Sequence, residues 1–301
     1  MIESRISAKV IKDSIGDTPY PTYNTRLITL EIEYPKFLQA QLNTHRNAAK
    51  NAASSRAMPM KVAMENLFVP TVVGKNKPGM VATEYLEGIE LESFQKDWID
   101  LKDYVYSWAL DMANKYSVHK QTINRVLEPF MMSKGVFTAT FKYWKHVIGL
   151  RKHLDAQPEF YELADLIEKA IYASEPQRLK QGQWHLPYVD SVEAGEKDVN
   201  IKVSASCIAQ VSYRKLDDSL EKALSIFDKL NLISDDPDNH PHISPVQHVS
   251  VFYPNKYSFN EDVLGGTHSD KPYYAEFVNY IQCSKFIENL NKLNPIGVYR
   301  E

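Results

Sequence analysis

The sequence predicts an α+β fold that is rich in helices and contains a small antiparallel sheet. Two observations carry this prediction. Apolar and polar residues alternate along Thr25–Pro35 (TRLITLEIEYP), a pattern typical of a strand with one buried face. Apolar side chains recur at helical spacing along Asp97–Tyr116, which indicates an amphipathic helix. Helical patterns outnumber strand patterns along the chain, and this balance favours the α+β class.

The first third of the chain is predicted to run from strand to helix to loop. Pro35 should end the first strand, because proline cannot donate a backbone hydrogen bond. Lys36–Met64 follows with many alanines and other helix formers, so we predict one helix or two there. Pro70–Gly79 is predicted to be a loop because it combines glycine and proline.

The remainder alternates between helices and short strands. Lys120–Val126 is predicted to be a short helix that ends before Pro129, and Val136–Phe141 (VFTATF) is predicted to be a strand. The AQP step separates two predicted helices, Lys142–Leu154 and Glu159–Ser174. The later predictions are a loop at Pro176–Asp190, a strand or helix at Val199–Tyr213, a helix at Leu216–Leu232, a loop at Asp235–Pro245, a strand at Gln247–Tyr253, and a strand followed by a helix within Tyr274–Asn291.

Composition narrows the class of protein. The 301 residues are 44% hydrophobic and 24% charged, which predicts a soluble globular chain, and no low-complexity tract divides it, so we interpret residues 1–301 as a single domain. The net charge of −3 argues against nucleic acid as a partner. We expect no membrane partner and no secretory signal, because no long apolar run is present. Cys207 and Cys283 lack CxxC spacing, which argues against structural zinc and disulfides and favours a cytoplasmic location.

The most informative stretch is Gln41–Arg56 (QLNTHRNAAKNAASSR), which contains imidazole, guanidinium, amide and hydroxyl groups and no acid. On a helix, Gln41 and His45 would share one face. The hydroxyls of Ser54 and Ser55 and the fork of Arg56 suit a phosphate. A solvated, alanine-rich helix face explains the same local pattern equally well.

Three further segments carry polar groups of the same kind. Arg125 lies in His119–Phe130, although a cation in the last turn of a helix would also explain it. Thr138–Glu159 could equally be a basic amphipathic helix that faces water. HISPVQH at His242–His248 has two histidines without a third ligand, so no metal site is expected. No GxGxxG, GxxxxGK[ST] or GxSxG motif is present, so neither a Rossmann fingerprint, a P-loop nor a hydrolase elbow is indicated.

Together the segments resemble the flavin-dependent thymidylate synthases, the ThyX family. The family signature RHRxxSxNExSxR is similar to THRNAAKNAASSR at Thr44–Arg56. Arg125 precedes a Leu-Glu-Pro step like that of the family, and Thr140–Glu159 resembles the family helix that is followed by AQxE. The matching signature residues are His45, Arg46, Asn51, Ser54 and Arg56, whereas Thr44, Ala49 and Ala52 depart from the family's Arg, Ser and Glu.

The order of the segments differs from that of the family. VSY at Val211–Tyr213 and HISPVQH, which is similar to the family's HxSPFEH, precede the arginine signature in the family and follow it here. We therefore predict a circularly permuted ThyX-like domain. Its portion 1–190 would hold the nucleotide and flavin, and its portion 191–301 would carry the two displaced segments. Permutation is tolerated when the termini of a domain lie close together at its surface.

The resemblance implies reductive methylation of dUMP at C5 to give dTMP. Methylenetetrahydrofolate would supply the carbon, reduced FAD the hydride, and NADPH the electrons that reload the flavin. A homo-oligomer, a homotetramer by family resemblance, is also implied.

The resemblance also implies roles for individual residues. Arg151 and Ser54 would be catalytic, with Arg151 pairing with the pyrimidine carbonyls. The nucleotide would be held by Gln41, Ser54, Ser55, Arg56, Arg125 and Arg151. The flavin and folate would be held by His45, Arg46, Asn51, Lys142, His146, Ser212, His242 and Ser244.

Two departures from the family leave the substrate open. Thr44 and Ala52 remove one positive and one negative group from the signature, so the pocket could be rearranged. Hydroxymethylation, methylation of another deoxypyrimidine monophosphate, and nucleotide binding without catalysis are the alternatives.

Overall fold

The described part of the chain, in a computed structural model, comprises residues 2–19, 21–189, 197–212, 216–217, 219–230, 242–254, 277 and 279–285. Five strands form the larger sheet in the order β3-β4-β2-β1-β5. Neighbouring strands are antiparallel, except that β1 and β5 are parallel. The strands are β1 Ser7–Gly16, β2 Arg26–Pro35, β3 Ala49–Ala52, β4 Met132–Thr140 and β5 Gln177–Leu179.

A second, antiparallel sheet has three strands, in the order β6-β7-β8. They are β6 Trp184–His185, β7 Ser250–Phe252 and β8 Tyr280–Gln282. The α-helices are α1 Gln39–Thr44, α2 Met60–Glu65, α3 Gly88–Tyr116, α4 Lys120–Ile123, α5 Phe141–Arg151, α6 Pro158–Tyr172, α7 Lys197–Ala209, α8 Leu220–Lys229 and α9 Ser244–Gln247. Short 3₁₀ helices span Lys36–Leu38, Asn124–Phe130 and Gln210–Ser212.

The two faces of the larger sheet pack against different elements. Ile28, Leu30 and Ile32 of β2 point to one face, where they form a core with Trp144 of α5 and Phe160 of α6. The alternate positions point to the other face, because successive strand residues project to opposite sides. On that second face, the smaller sheet covers part of the larger one, and α9 packs against β3.

A buried polar layer joins the two sheets. The imidazole of His185 hydrogen-bonds to the hydroxyls of Ser14 (2.9 Å) and Thr29 (2.8 Å). Thr29 Oγ1 lies 2.6 Å from Thr138 Oγ1, which in turn lies 2.8 Å from Nδ1 of His248. All five side chains are buried, and we name them the inter-sheet relay. Burial lowers the pKa of both histidines, that of His248 to about 3, so both are neutral at pH 7.

Most of the predicted elements are confirmed. The strands around residues 25–35 and 136–141 are β2 and β4, and the two helices on either side of the AQP step are α5 and α6. The predicted helix at 97–116 is α3, which begins earlier, at Gly88. The α+β class is confirmed, and no helix of the described residues is long and apolar enough to cross a membrane.

The prediction of one helix or two across Lys36–Met64 holds at the ends of this range, where α1 and α2 lie, and is wrong between them. Helix α1 ends at Thr44, His45 is extended, and Asn47 has a left-handed φ of 61°. Residues 49–52 then pair with 135–138 of β4 as strand β3. The alanines favour a helix locally, but the hydrogen bonds and burial gained beside β4 outweigh that preference. Gln41 and His45 therefore do not share a helix face.

One unpredicted strand, one wrong prediction and one open alternative remain. Strand β1 was not predicted, because a bulge between Val10 and Lys12 interrupts its alternation. The predicted loop at 176–190 contains the short strands β5 and β6. Of the two possibilities at 199–213, the helix is observed, as α7. Tyr213, residues 231–241 of the predicted helix end and loop, and most of Tyr274–Asn291 lie outside the described residues.

Candidate functional site

A cavity of about 640 Å³ lies where the ends of α5 and α6 meet a β-bridged loop. Its polar lining residues are Gln41, Arg151, Asp155, Gln157 and Glu159. The loop is closed by a bridge between Gly74 and Tyr85, and it contributes mainly apolar side chains to the cavity lining. The volume lies within the usual range of small-ligand pockets, about 300–1,000 Å³. A flat ring with polar edges suits such a lining.

The guanidinium of Arg151 is held by two aromatic neighbours. Its Nε donates a hydrogen bond to Nε2 of His45 over 2.9 Å, and its central carbon lies 4.5 Å from the centre of the Phe160 ring. His45 meets the same ring edge-on. Burial, followed by the charge of Arg151, lowers the pKa of His45 to about 4, so the imidazole is neutral and can accept at neutral pH.

The two glutamines and Glu159 carry the other hydrogen-bonding groups described for this lining, beside Asp155. Nε2 of Gln41 donates to Oε1 of Gln157 over 2.6 Å. Burial raises the pKa of Glu159, and its Oε2 is buried without a hydrogen-bond partner among the described residues. Because buried polar atoms are normally satisfied, this oxygen is suited to a ligand or water.

The serine and arginine residues predicted for the phosphate form a separate cluster. Ser55 donates to Oε1 of Glu128 over 2.5 Å, and Arg125 donates to the same oxygen over 2.7 Å. Ser54 accepts from the backbone N–H of Arg56 over 3.3 Å. None of these residues lines the Arg151 cavity. The structure thus divides the predicted nucleotide set into Gln41 and Arg151 at the cavity, and the rest in this cluster.

The residues predicted for the flavin and folate are also divided, because they lie on opposite faces of the larger sheet. The side of the sheet that carries α5 holds His45, Lys142 and His146. Lys142 and His146 are exposed, and so is Arg46, the neighbour of His45 in the chain. Asn51 shares the other face of the sheet with its β4 partner Val136. Its Oδ1 is buried and has no partner among the described residues.

Two C-terminal elements, which include Ser212 and Ser244, lie near Asn51. The 3₁₀ helix that includes the backbone of Ser212 packs against β3 and β4, and α9, which begins at Ser244, packs against β3. His242 is exposed, and its backbone N–H donates to the carbonyl of Leu230 over 2.8 Å. The fold therefore brings these elements to β3, the strand that carries Asn51, although they follow Asn51 by more than a hundred residues in the sequence.

Three residues of these sites were not predicted. Gln157 and Glu159 lie in the AQxE match, so the motif could have pointed to them. Glu128 interrupts the Arg-to-Pro step, and nothing local indicated that it would meet Ser55. Among the described residues no group of three metal-ligating side chains occurs, and Cys207 and Cys283 are buried thiols.

Comparison with known proteins identifies the family. The sequence model of the thymidylate synthase complementing proteins, the flavin-dependent thymidylate synthases, matches residues 3–177. This range is more than half of the chain and includes both α1–β3 and α5–α6. The chain belongs to this family. The family resemblance is thereby confirmed, whereas VSY and HISPVQH lie outside the matched range, so the permuted order stays a prediction.

No curated protein matched the chain. Among solved structures, the chain is similar to a crystal structure of a UMP/dUMP methylase, PolB, from Streptomyces cacaoi bound with 5-Br UMP. The two are 17% identical, with a TM-score of 0.45, and the match covers 57% of this chain and 90% of that chain.

Proposed function

We propose that the protein is a flavin-dependent thymidylate synthase that methylates dUMP at C5, with methylenetetrahydrofolate as carbon donor and NADPH as reductant. The observation that carries the proposal is the Arg151 cavity, which in a member of this family is lined by a fixed guanidinium, two amides and two acidic side chains. A pyrimidine offers two carbonyl acceptors and an N–H donor, and this lining offers matching groups.

Arg151 would act on the pyrimidine electrostatically. C5 attacks the incoming carbon from a form of the ring with enolate character, whose carbonyl oxygens carry negative charge, and a fixed guanidinium stabilises that charge more than it stabilises the neutral substrate. The stack on Phe160 and the bond to His45 hold the guanidinium in place before the substrate binds. The orientation of the cation therefore costs little when charge develops.

The phosphate would bind at the second cluster. Arg56 and Arg125 are exposed cations, and Ser54 lies beside Arg56; the phosphate would replace Glu128 as the acceptor for Ser55 and Arg125. We propose a homo-oligomer in which this cluster of one subunit meets the Arg151 cavity of another. The separation of the two half-sites within one chain supports this arrangement. The exposed apolar side chains on α3, Leu101, Tyr104 and Trp108, also support it.

Bound FAD would supply the hydride that completes the methyl group. The exposed Arg46 and Lys142 fit a pyrophosphate, because both are cations near the α5 side of the sheet. The buried amide oxygen of Asn51 could accept from a ring N–H only if the layer around α9 were to open. Residues Ser212, His242 and Ser244 would approach the same group from that layer.

The test begins with the colour and absorption spectrum of the purified protein after FAD is added. Turnover is then measured anaerobically with dUMP, methylenetetrahydrofolate and NADPH, and the molecular mass of the nucleotide product is determined by mass spectrometry. We expect bound flavin and a product with the mass of dTMP. A protein that binds no FAD and converts no dUMP would rule out the proposal.

The same product mass separates the alternatives raised by Thr44 and Ala52. A hydroxymethyl product would indicate the hydroxymethylase, and turnover of another deoxypyrimidine monophosphate alone would indicate a different methylase. Binding of dUMP without turnover would indicate a non-catalytic homologue. The oligomer is tested by light scattering during size-exclusion chromatography, in which a monomer with full activity would contradict the shared site.

A further inference from the structure

We propose that His45 is a positioning residue for Arg151. Its imidazole accepts the hydrogen bond of the Arg151 Nε–H, so that only the Nη1/Nη2 end of the guanidinium faces the pyrimidine. This inference rests on the proposed function and changes the predicted role of His45, which the resemblance assigned to the flavin side. A guanidinium can present either its side, Nε with one Nη, or its end, with both Nη atoms. The partner that accepts from Nε decides between these two modes.

The contact geometry supports this assignment. A guanidinium is always protonated and can only donate, so Nε2 of His45 must carry its lone pair in the 2.9 Å bond. The ring proton of the neutral imidazole is therefore on Nδ1. The stack of Arg151 on Phe160 restricts the plane of the guanidinium, and the bond to His45 restricts its rotation within that plane.

His45 is itself held from two elements. Its carbonyl accepts from the ammonium of Lys50 on β3 and from the hydroxyl of Tyr143 on α5, the latter over 3.4 Å. Its side chain is buried and meets Phe160 edge-on. A side chain with so little freedom can transmit its orientation to Arg151.

Burial, followed by the charges around it, keeps His45 in the accepting state. The groups that act on it electrostatically among the described residues are Arg151 and His146 of α5 and Lys50 of β3, which disfavour a positive imidazole. Protonation would place a donor opposite the Nε donor of Arg151 and would break the bond. The pairing should therefore persist at neutral pH and fail in acid.

The experiment compares three variants. In His45→Gln the amide oxygen can still accept, in His45→Leu no acceptor remains, and His119→Gln is a matched control at an exposed histidine outside the cavity. We expect His45→Leu to lower kcat/KM for dUMP by about 10- to 100-fold, because a misplaced catalytic group costs about this much. His45→Gln should recover most of that loss, and the control should match the wild type.

A pH series tests positioning without relying on the leucine variant. The phosphate of dUMP titrates near pH 6, and taking the ratio of wild type to His45→Gln at each pH cancels that effect. The ratio should stay constant down to about pH 5 and fall by roughly half at about pH 4, the pKa of His45, since glutamine cannot be protonated. A ratio that stays constant through pH 4, equal activities of His45→Leu and the wild type, or equal losses in both His45 variants would overturn the proposal.

The ¹⁵N resonance of Arg151 Nε separates failure of this inference from failure of the proposed function. It is measured without nucleotide. We expect it to shift in His45→Leu and to stay near its wild-type position in His45→Gln. Wild-type protein that lacks turnover but shows this pattern would refute the proposed chemistry alone, whereas an unchanged resonance in His45→Leu would refute the pairing.

Discussion

Replacing Thr138 by valine should remove the central hydroxyl of the inter-sheet relay and destabilise the protein. The hydroxyl makes two buried hydrogen bonds, to Thr29 and to His248. Valine keeps the β-branched shape preferred in strands, so the backbone of β4 should not change. Thr29 would keep its hydrogen bond to His185. Nδ1 of His248 would lose its partner, and Nε2 of the same imidazole already has none among the described residues.

The size of the effect follows from these contacts. Each lost hydrogen bond contributes about 0.5–1.5 kcal/mol, and a buried nitrogen left without a partner costs about 1–3 kcal/mol. Because these terms overlap, we expect Thr138→Val to lower the free energy of unfolding by about 2–4 kcal/mol.

Urea unfolding measured by circular dichroism and fluorescence is the assay. The midpoint should fall while the slope with urea concentration stays the same, since the surface exposed on unfolding changes little. The control is Thr83→Val, which removes an exposed hydroxyl whose contact is a 3.3 Å bond from Lys77, and it should change stability by less than about 0.5 kcal/mol. An equally small effect of Thr138→Val would refute the view that the relay stabilises the packing of the two sheets.

Three further predictions concern acid stability, a buried ion pair and the cavity. Burial lowers the pKa of His185 and of His248, so below pH 6.5 the unfolded chain binds protons that the folded chain excludes. As the pH is lowered through this range, the free energy of unfolding should fall by about 1.4 kcal/mol per pH unit for each imidazole. Urea unfolding at pH 7, 6 and 5 checks this, and a flat profile would contradict it. Asp13→Asn should lower the free energy of unfolding by about 3 kcal/mol, because it leaves the guanidinium of Arg26 without its buried carboxylate. Calorimetry measures this loss, and a negligible change would contradict the prediction. Gln41→Leu should weaken dUMP binding by about 3- to 10-fold in isothermal titration while leaving the melting temperature nearly unchanged, and unaltered affinity would remove Gln41 from the site.

The parts of the fold that could be predicted are those with regular local patterns. Alternation marked β2 and β4, and the AQP step marked the boundary between α5 and α6. The residues 45–52 could not be predicted in this way. Their alanines indicate a helix, but their conformation depends on β4, which lies more than eighty residues further along the chain.

The candidate site shows the same division. Arg151 and Gln41 were predicted from motifs, and the structure places both at one cavity. The cluster of Ser55 with Glu128 could not be predicted, because Glu128 follows no periodic or motif pattern. Nor could the motifs show that Asn51 lies on the face of the sheet opposite to His45, since that depends on where β3 pairs.

The sequence by itself determined the class of fold, the family of the chain and the types of side chain available for chemistry. These depend on residue identity and spacing, which are local. Only the tertiary structure decided which of those side chains meet: it paired His45 with Arg151, joined Thr29 to Thr138 and His248, and separated the serine–arginine cluster from the cavity. The physical reason is that each of these contacts joins strands or helices far apart in the chain, and sheet pairing and core packing, not local propensity, bring them together.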